Sequence, residues 1–437
     1  SGTGTRVQVD GIDVTDETVG TTVANFSMDA VHEFQLTQSS LDISTSLTSS
    51  GSVNIISRSG GNQIHGSTFF DYYNQDMGAR LGYLGKADLE DYKGSNPPFH
   101  RKRVGVSAGG PFVKDKLFGF VNWERHYQKE EALSTNPLFP QLNLSQGWPA
   151  GIRYTSGRLD WNASDSVRLF YRFNYDWNLA TGGSAVSPFQ TINWTTVQTV
   201  GLNLNRARDT HAYRFGYVNF NNRIESQELK YKFLRTPNGI PYYLGVGSYG
   251  AGPNSLAPQA TYQDNFQNSY DGSFLTGRHT LRYGFDVRRI ALGGFANFSG
   301  PLSISGTYDD ATVAAIRRRG GNVQDPLEYP FESLSMGPAN GFFWLKPGHG
   351  LAHGDHITTR LAWFAGDTIR VNRQLTLNLG VRWSYDTGYF PNDRSVVRDP
   401  IVNQWIQGAS NFSVMPKTLF SPSIGFAWNP RGDGKTV

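Results

Sequence analysis

The densest set of metal-binding side chains lies in the run GHGLAHGDH, which brings His349, His353, Asp355 and His356 within eight residues. Imidazoles and a carboxylate at this spacing are donors suited to a transition metal. A glycine-rich loop that merely happens to hold histidines has the same appearance, so His349, His353 and His356 stand only as weak metal candidates. The expectation is no metal and no other cofactor. The adjacent carboxylates Glu130-Glu131 and Asp309-Asp310 have the groups for acid–base chemistry, but they fall in polar stretches where solvated charge is ordinary. Arg431-Gly432-Asp433 spells an adhesion tripeptide among residues that equally make a turn. No G-x-S-x-G stands as a strand-to-helix elbow, and the Gly-rich Ser107–Gly110 lacks the Lys-Ser/Thr ending of a phosphate loop. These residues point away from an enzyme.

Composition narrows the classes further. The 437 residues include 49 glycines and 14% aromatics, a mixture that suits strands and turns. A net charge of +4 is small for this length, and the arginines are spread about one per strand, so no nucleic-acid partner is expected. There is no cysteine, which excludes disulfides and thiolate chemistry. No apolar run approaches the ~20 residues of a membrane helix. That test is blind to barrels, whose lipid-facing residues alternate with polar ones.

Alternation is the main signal along the chain. Leu375, Leu377, Leu379, Val381, Trp383 and Tyr385 interleave with Thr376, Asn378, Gly380, Arg382, Ser384 and Asp386. Val167–Asp176 and Leu281–Arg288 show the same pattern, and weaker versions bring the total to about twelve strands of roughly 9–11 residues. Short connections are expected at Gly110–Asp115, Asn162–Asp165, Ala207–Asp209, Asp271–Gly277 and Val371–Arg373. Long ones are expected at Asn74–His100, Gln128–Ile152, Asn178–Gln190, Asn221–Ala260, Ala291–Thr359 and Thr387–Met415. A strict long–short alternation is how an outer-membrane barrel divides external loops from periplasmic turns. A soluble β-sandwich, propeller or carbohydrate-binding β-protein also alternates along its strands, but gives no reason for loops to segregate by length.

The chain pivots at Gly51–Tyr73, GSVNIISRSGGNQIHGSTFFDYY. Ser59-Gly60-Gly61-Asn62 separates an apolar run from the first alternating strand, and its glycines are read as tolerating positive φ at a sharp change of direction. The phrase resembles the plug-to-barrel junction of TonB-dependent outer-membrane receptors, in the Oar-like branch. Val53, Asn54, Gly60, Asn62, His65 and Gly66, with Ser59, fill the junction positions, while Ser57-Arg58 replaces a more usual Thr-Lys. KLFGFVNWE, GRHTLRYGFDVRR, QLTLNLGVRW and FSPSIGFAWNPRGDGKTV look like barrel phrases of the same family.

The resemblance implies an all-β fold: an antiparallel up-and-down transmembrane β-barrel of about 22 strands, about twelve of them present, with the remnant of a lumen plug. Residues 1–60 would be the C-terminal part of the plug, and 61–437 the N-terminal half of the barrel. The sheet would then be open and curved, with Ser1–Ser59 against its concave polar face. Implied partners are outer-membrane lipid, an unknown extracellular ligand, and the TonB energy-coupling complex through a segment upstream of Ser1. The implied function is TonB-dependent uptake of a scarce ligand such as a siderophore, metal chelate or oligosaccharide. The alternative is an Oar-like protein with a structural, adhesive or secretion role. Trp148, Tyr242, Tyr243, Phe342, Phe343 and Trp344 would stack on a sugar or siderophore, or pack loops together.

Overall fold

Residues of alternating polarity can pair on two sides without burying their apolar face in the protein, and they do so here on a large scale. The computed structural model describes residues 5–37, 43–44, 51–79, 96–227, 233–296, 301–336, 355–387 and 418–429. Twelve strands form one antiparallel sheet in chain order: β5 (His65–Asn74), β6 (Phe99–Val113), β7 (Leu117–Ser134), β8 (Leu144–Asn162), β9 (Val167–Ser184), β10 (Ser187–Asn205), β11 (Asp209–Ser226), β14 (Gln259–Thr276), β15 (His279–Ala296), β18 (Asp355–Arg370), β19 (Leu375–Asp386) and β20 (Phe420–Trp428). Among the described residues β5 pairs only with β6 and β20 only with β19, so the sheet is open. One face exposes Phe70, Val106, Val121, Trp123, Leu159, Tyr171, Val200, Leu202, Phe285 and Trp363. The opposite face carries Asn122, Glu124, Arg172, Asn174, Gln263, Gln267, Arg288 and Arg382, all buried. Apolar outside and polar inside is the arrangement of a membrane barrel wall.

The connections at one end are short throughout: 114–116, 163–166, 206–208, 277–278 and 371–374. At the other end the expected pattern holds at 75–98, 227–258, 297–354 and 387–419, but fails elsewhere. Gln128–Ile152 shrinks to 135–143, and Asn178–Gln190 becomes a hairpin in which Ser184 faces Ser187 and only Ala185 and Val186 turn. The reason is that the β7–β8 and β9–β10 ladders continue past the length a bilayer crossing needs. β8 and β10 each run 19 residues, well past the 9–11 expected, because Thr181, Phe189 and Thr191 continue the ladder.

Two of the long connections fold together. Strands β12 (Tyr242–Val246), β13 (Tyr249–Ala251), β16 (Leu302–Gly306) and β17 (Phe331–Ser335) form a sheet in the order β13-β12-β16-β17, with β12 and β16 parallel. Helix α1 (Asp310–Arg318) was not evident from alternation. It is capped by the Asp309 side chain, which accepts from Thr312 N at 2.6 Å, and it turns Ile316 inward. Phe139, Leu142, Tyr242, Leu244, Val246, Ile316 and Tyr329 make a closed core there, with Phe139 edge-on to Tyr329 at 5.4 Å. Tyr242 thus packs loops together, while Phe342, Phe343 and Trp344 lie outside the described residues.

Residues 5–57 make a separate four-stranded sheet from β1 (Thr5–Val9), β2 (Ile12–Asp13), β3 (Val31–Thr37) and β4 (Gly51–Ser57), ordered β2-β1-β4-β3. Asp10 and Gly11, at φ 49 and 87, supply the tight turn between β1 and β2. Too few apolar residues are present to close a core alone, so the wall completes it. Val9, Ile12, Val14, Val23 and Ile55 pack with Val197, Val218 and Phe220 of β10 and β11. Burying side chains of this size contributes about 1.5–3 kcal/mol each. The inner face is therefore largely polar, with an apolar patch where this sheet sits.

Candidate functional site: the interface between the N-terminal sheet and the wall

Four acidic residues in DGIDVTDE, Asp10, Asp13, Asp16 and Glu17, project from the short strands and turns of the N-terminal sheet. Three of them meet arginines that rise from different wall strands. The arginines are dispersed in sequence but converge in space, because alternation sends them all to one face.

Asp10 is the first anchor. Its Oδ1 accepts from Ser57 N at 3.0 Å and its Oδ2 from Ser57 Oγ at 2.7 Å, which ties the β1–β2 turn to the end of β4. Arg158 Nη1 of β8 donates to Asp10 Oδ1 at 3.3 Å, and Arg172 Nε of β9 lies 2.9 Å from Oδ2 as an ion pair whose angle is not that of a hydrogen bond. Arg158 is fixed in turn by Asp160, 2.8 Å away, and by stacking on Phe170. Ser59 Oγ donates to the same Asp160 at 2.6 Å.

The second anchor is buried more deeply. Asp13 sits between Arg6 of its own sheet, 2.9 Å away, and Arg288 of β15, and it accepts from Thr15 N at 2.9 Å. Burial alone would raise its pKa, but Arg6 and Arg288 outweigh that and hold it at about 2, below the ordinary 3.8. Burial and Arg288 lower the Arg6 pKa to about 10, opposed by Asp13. A depressed carboxylate stabilises the folded state above the unfolded pKa and loses that effect as pH falls through the folded one. Asp13 should therefore contribute fully above about pH 4 and lose roughly 2 kcal/mol as the pH approaches about 2. Pulsed hydrogen exchange of β1 should accelerate across that window, and Asp13→Asn should remove this component of the acceleration.

Two glutamines on one face of β14 act as a substitute strand. Gln267 accepts from Asp13 N at 3.0 Å and donates to Asp13 O at 2.6 Å. Gln263 accepts from Glu17 N and donates to Thr15 O, both at 3.0 Å. Residues 13–17 thereby satisfy edge groups that would otherwise be buried without partners. Arg360 of β18 grips Glu17 with both terminal nitrogens, at 2.6 and 2.8 Å, while its Nε donates to Asp386 at 2.8 Å. This bidentate fork is the stronger form of a carboxylate pair. Farther along, Ser27 Oγ donates to Glu124 at 2.5 Å, Asn25 N to Asp176 at 3.1 Å, and Arg382 to Ile43 O and Ser44 O at 3.1 and 3.0 Å.

Of the junction residues, Gly60, Asn62, His65 and Gly66 fall at the short-turn end. Val53 packs beside the shared core, and Asn54 donates to Gln35. Asn62 holds the β6–β7 turn through two bonds, Nδ2 to Asp115 Oδ1 at 2.5 Å and Asp115 N to its Oδ1 at 2.8 Å. Gly60 does not have positive φ, contrary to the reading of its break, and neither does Gly61. Its requirement is close approach: a Cβ there would lie 2.4 Å from Gly119 O and 2.8 Å from Gly110 O. Gly66 is confined in the same way by Ser107 O, at 2.6 Å. His65 is exposed, with Nδ1 3.1 Å from Gln63 O.

Of the metal candidates, only the backbone of His356 falls among the described residues. His349 and His353 lie outside the described residues, and the backbone of His356 pairs with Leu292 at the start of β18. Among the described residues no group of three His, Asp or Glu side chains could hold a metal ion. Glu130 and Glu131 prove to be on β7 rather than in a loop, Asp309 caps α1, and Arg431-Gly432-Asp433 lies outside the described residues.

Residues 56–152 and 151–437 match the family described as outer membrane beta barrel domain. The fold is similar to the outer membrane transporter YddB from Escherichia coli, with a TM-score of 0.58 at 12% identity over 99% of this chain and 52% of that one. It is similar to FpvA of P. aeruginosa bound to heterologous pyoverdines, with a TM-score of 0.55, 14% identity, and 97% and 48% of the two chains covered. For the siderophore receptor PirA from Acinetobacter baumannii the TM-score is 0.52 at 14% identity, with 88% and 49% covered. At such identities the likeness is one of fold. The chain spans about half the length of each of these proteins. No curated protein matches the sequence.

Proposed function

Because this chain belongs to the outer membrane beta-barrel family and so resides in the outer membrane, we propose that it is part of a TonB-dependent transporter, with residues 1–60 the tail of the plug and 61–437 the first half of the wall. The ligand class is a scarce compound such as a siderophore, metal chelate or oligosaccharide. The observation that carries this reading is the seating of the N-terminal sheet on the polar inner face through Asp10, Asp13 and Glu17. A structural barrel has no need of a folded body held inside it by ion pairs. In a transporter such a body blocks the lumen at rest and must shift when force is applied from the periplasm. The names of YddB, PirA and FpvA, a transporter, a siderophore receptor and a pyoverdine-bound protein, agree with this reading.

These 437 residues contain no cysteine to compete with an engineered pair. A Cβ on Gly216 would lie 2.6–2.8 Å from three side-chain carbons of Ile12, close enough for an engineered disulfide. In full-length protein carrying Ile12→Cys and Gly216→Cys, oxidation should abolish energy-dependent uptake of radiolabelled ferric siderophores, and a reductant should restore it. Equal uptake by the oxidised and reduced forms would remove plug movement from the mechanism. No uptake of any such probe by the reduced or wild-type protein would favour the structural, adhesive or secretion role.

A further inference from the structure

The outward face holds a cluster that the lumen network does not use. Along β7 the outward positions from the short-turn end are Leu117, Gly119, Val121 and Trp123, and along β8 they are Trp161, Leu159, Gly157 and Thr155. None is charged. The next outward residue on each strand is an arginine, Arg125 and Arg153, about 27 Å along the strand at ~3.4 Å per residue. With the tilt of barrel strands, that distance spans most of an apolar band about 25 Å tall. The two arginines face each other directly across the β7–β8 ladder.

The same row continues through Trp177 on β9 and Trp194 on β10. The Arg153 guanidinium lies 4.7 Å from the Trp177 ring centre, and Arg223 of β11 lies 5.3 Å from that of Trp194. All three arginines are exposed, and none forms an ion pair among the described residues. Like charges directly opposite in a sheet repel, so this arrangement is relieved by an anion that bridges them. Guanidinium forks suit phosphate oxygens, and indole faces suit sugar rings.

We propose that Arg125, Arg153 and Arg223, with Trp177 and Trp194, dock the phosphorylated sugar headgroup of a glycolipid in the outer leaflet. Three observations select this occupant. The cluster lies toward the long-connection end, which is the external side of a barrel. It follows an uncharged stretch that spans most of the apolar layer, and the long arginine side chains carry their guanidinium groups on to the headgroup level. Its charge is uncompensated among the described residues. The proposal rests on the outer-membrane location and is independent of transport.

The test uses full-length protein in detergent and a bis-phosphorylated glucosamine-disaccharide lipid, its dephosphorylated form, and phosphatidylglycerol. Wild type should bind the first at least tenfold more tightly than either of the others. Arg125→Gln/Arg153→Gln/Arg223→Gln should lose that preference while keeping the heat-modifiable gel migration of a folded barrel. If the triple variant does not fold, Arg153→Gln alone should still weaken binding severalfold. Equal binding of the dephosphorylated lipid would overturn the phosphate assignment, equal binding of phosphatidylglycerol the glycolipid assignment, and unchanged binding by the folded variants the site itself.

Discussion

Asp13→Ala is expected to loosen the N-terminal sheet from the wall by about 3–5 kcal/mol, the usual effect of removing one partner from a buried ion pair. The substitution leaves Arg6 and Arg288 side by side, with side chains only 16% and 6% exposed and Asp286, 2.7 Å from Arg288, as the remaining carboxylate of the cluster. It also removes the acceptor for Thr15 N. The readout is tryptic cleavage after Arg58, the residue that directly follows β4. If cleavage follows the open population, it should rise about a hundredfold or more. Replacing the repelling cation as well, in Asp13→Ala/Arg288→Met, should recover part of the loss, because it removes the repulsion between the two cations and leaves the Asp286 carboxylate to balance Arg6. An unchanged cleavage rate in Asp13→Ala would show that these ion pairs do not hold the sheet in place.

The second large effect concerns one glycine of an adjacent pair. Gly60→Ala places a methyl group 2.4 Å from Gly119 O, 2.8 Å from Gly110 O and 2.9 Å from Gly119 N. All three are backbone atoms at the β6–β7 hairpin, so no rotamer change relieves the contact. The chain would have to leave the turn, which breaks the two Asn62–Asp115 bonds. Gly61 is the matched control, since a Cβ there meets nothing within 4 Å and its φ is ordinary. The yield of folded, heat-modifiable protein should fall severely for Gly60→Ala and remain at the wild-type level for Gly61→Ala. Equal yields from the two would remove close approach as the reason for Gly60.

The wall was legible because its signal is local. A period of two, repeated from Leu375 to Tyr385, both identifies β19 and assigns its faces. Strand lengths were less legible, since nothing in Thr181 or Phe189 marks where the membrane stops and pairing continues. The external body was invisible for a different reason. Its strands are three to five residues long, its helix has nine, and its core joins Phe139 to Tyr329 across about half of the wall sequence. For the lumen interface, the junction phrase marked where the chain enters the wall, but not what fastens it. Asp10, Asp13 and Glu17 find their arginines 148, 275 and 343 residues away. No short-range pattern carries such pairs, and the even scatter of arginines conceals their convergence on one face.

The parallel pairing of β12 with β16 has a consequence for the order of assembly. A parallel connection needs a long crossover, and here the crossover includes the β14–β15 hairpin of the wall. Pairing of residues 259–296 brings the chain back to the same end and holds Tyr242 within reach of Leu302. The loop-closure entropy of that detour is already spent once the hairpin stands in the membrane, so the external sheet then closes at little further cost. The body outside the membrane is in this sense a latch set by the wall. It forms after β14 and β15, and it ties their outer ends together once it has formed.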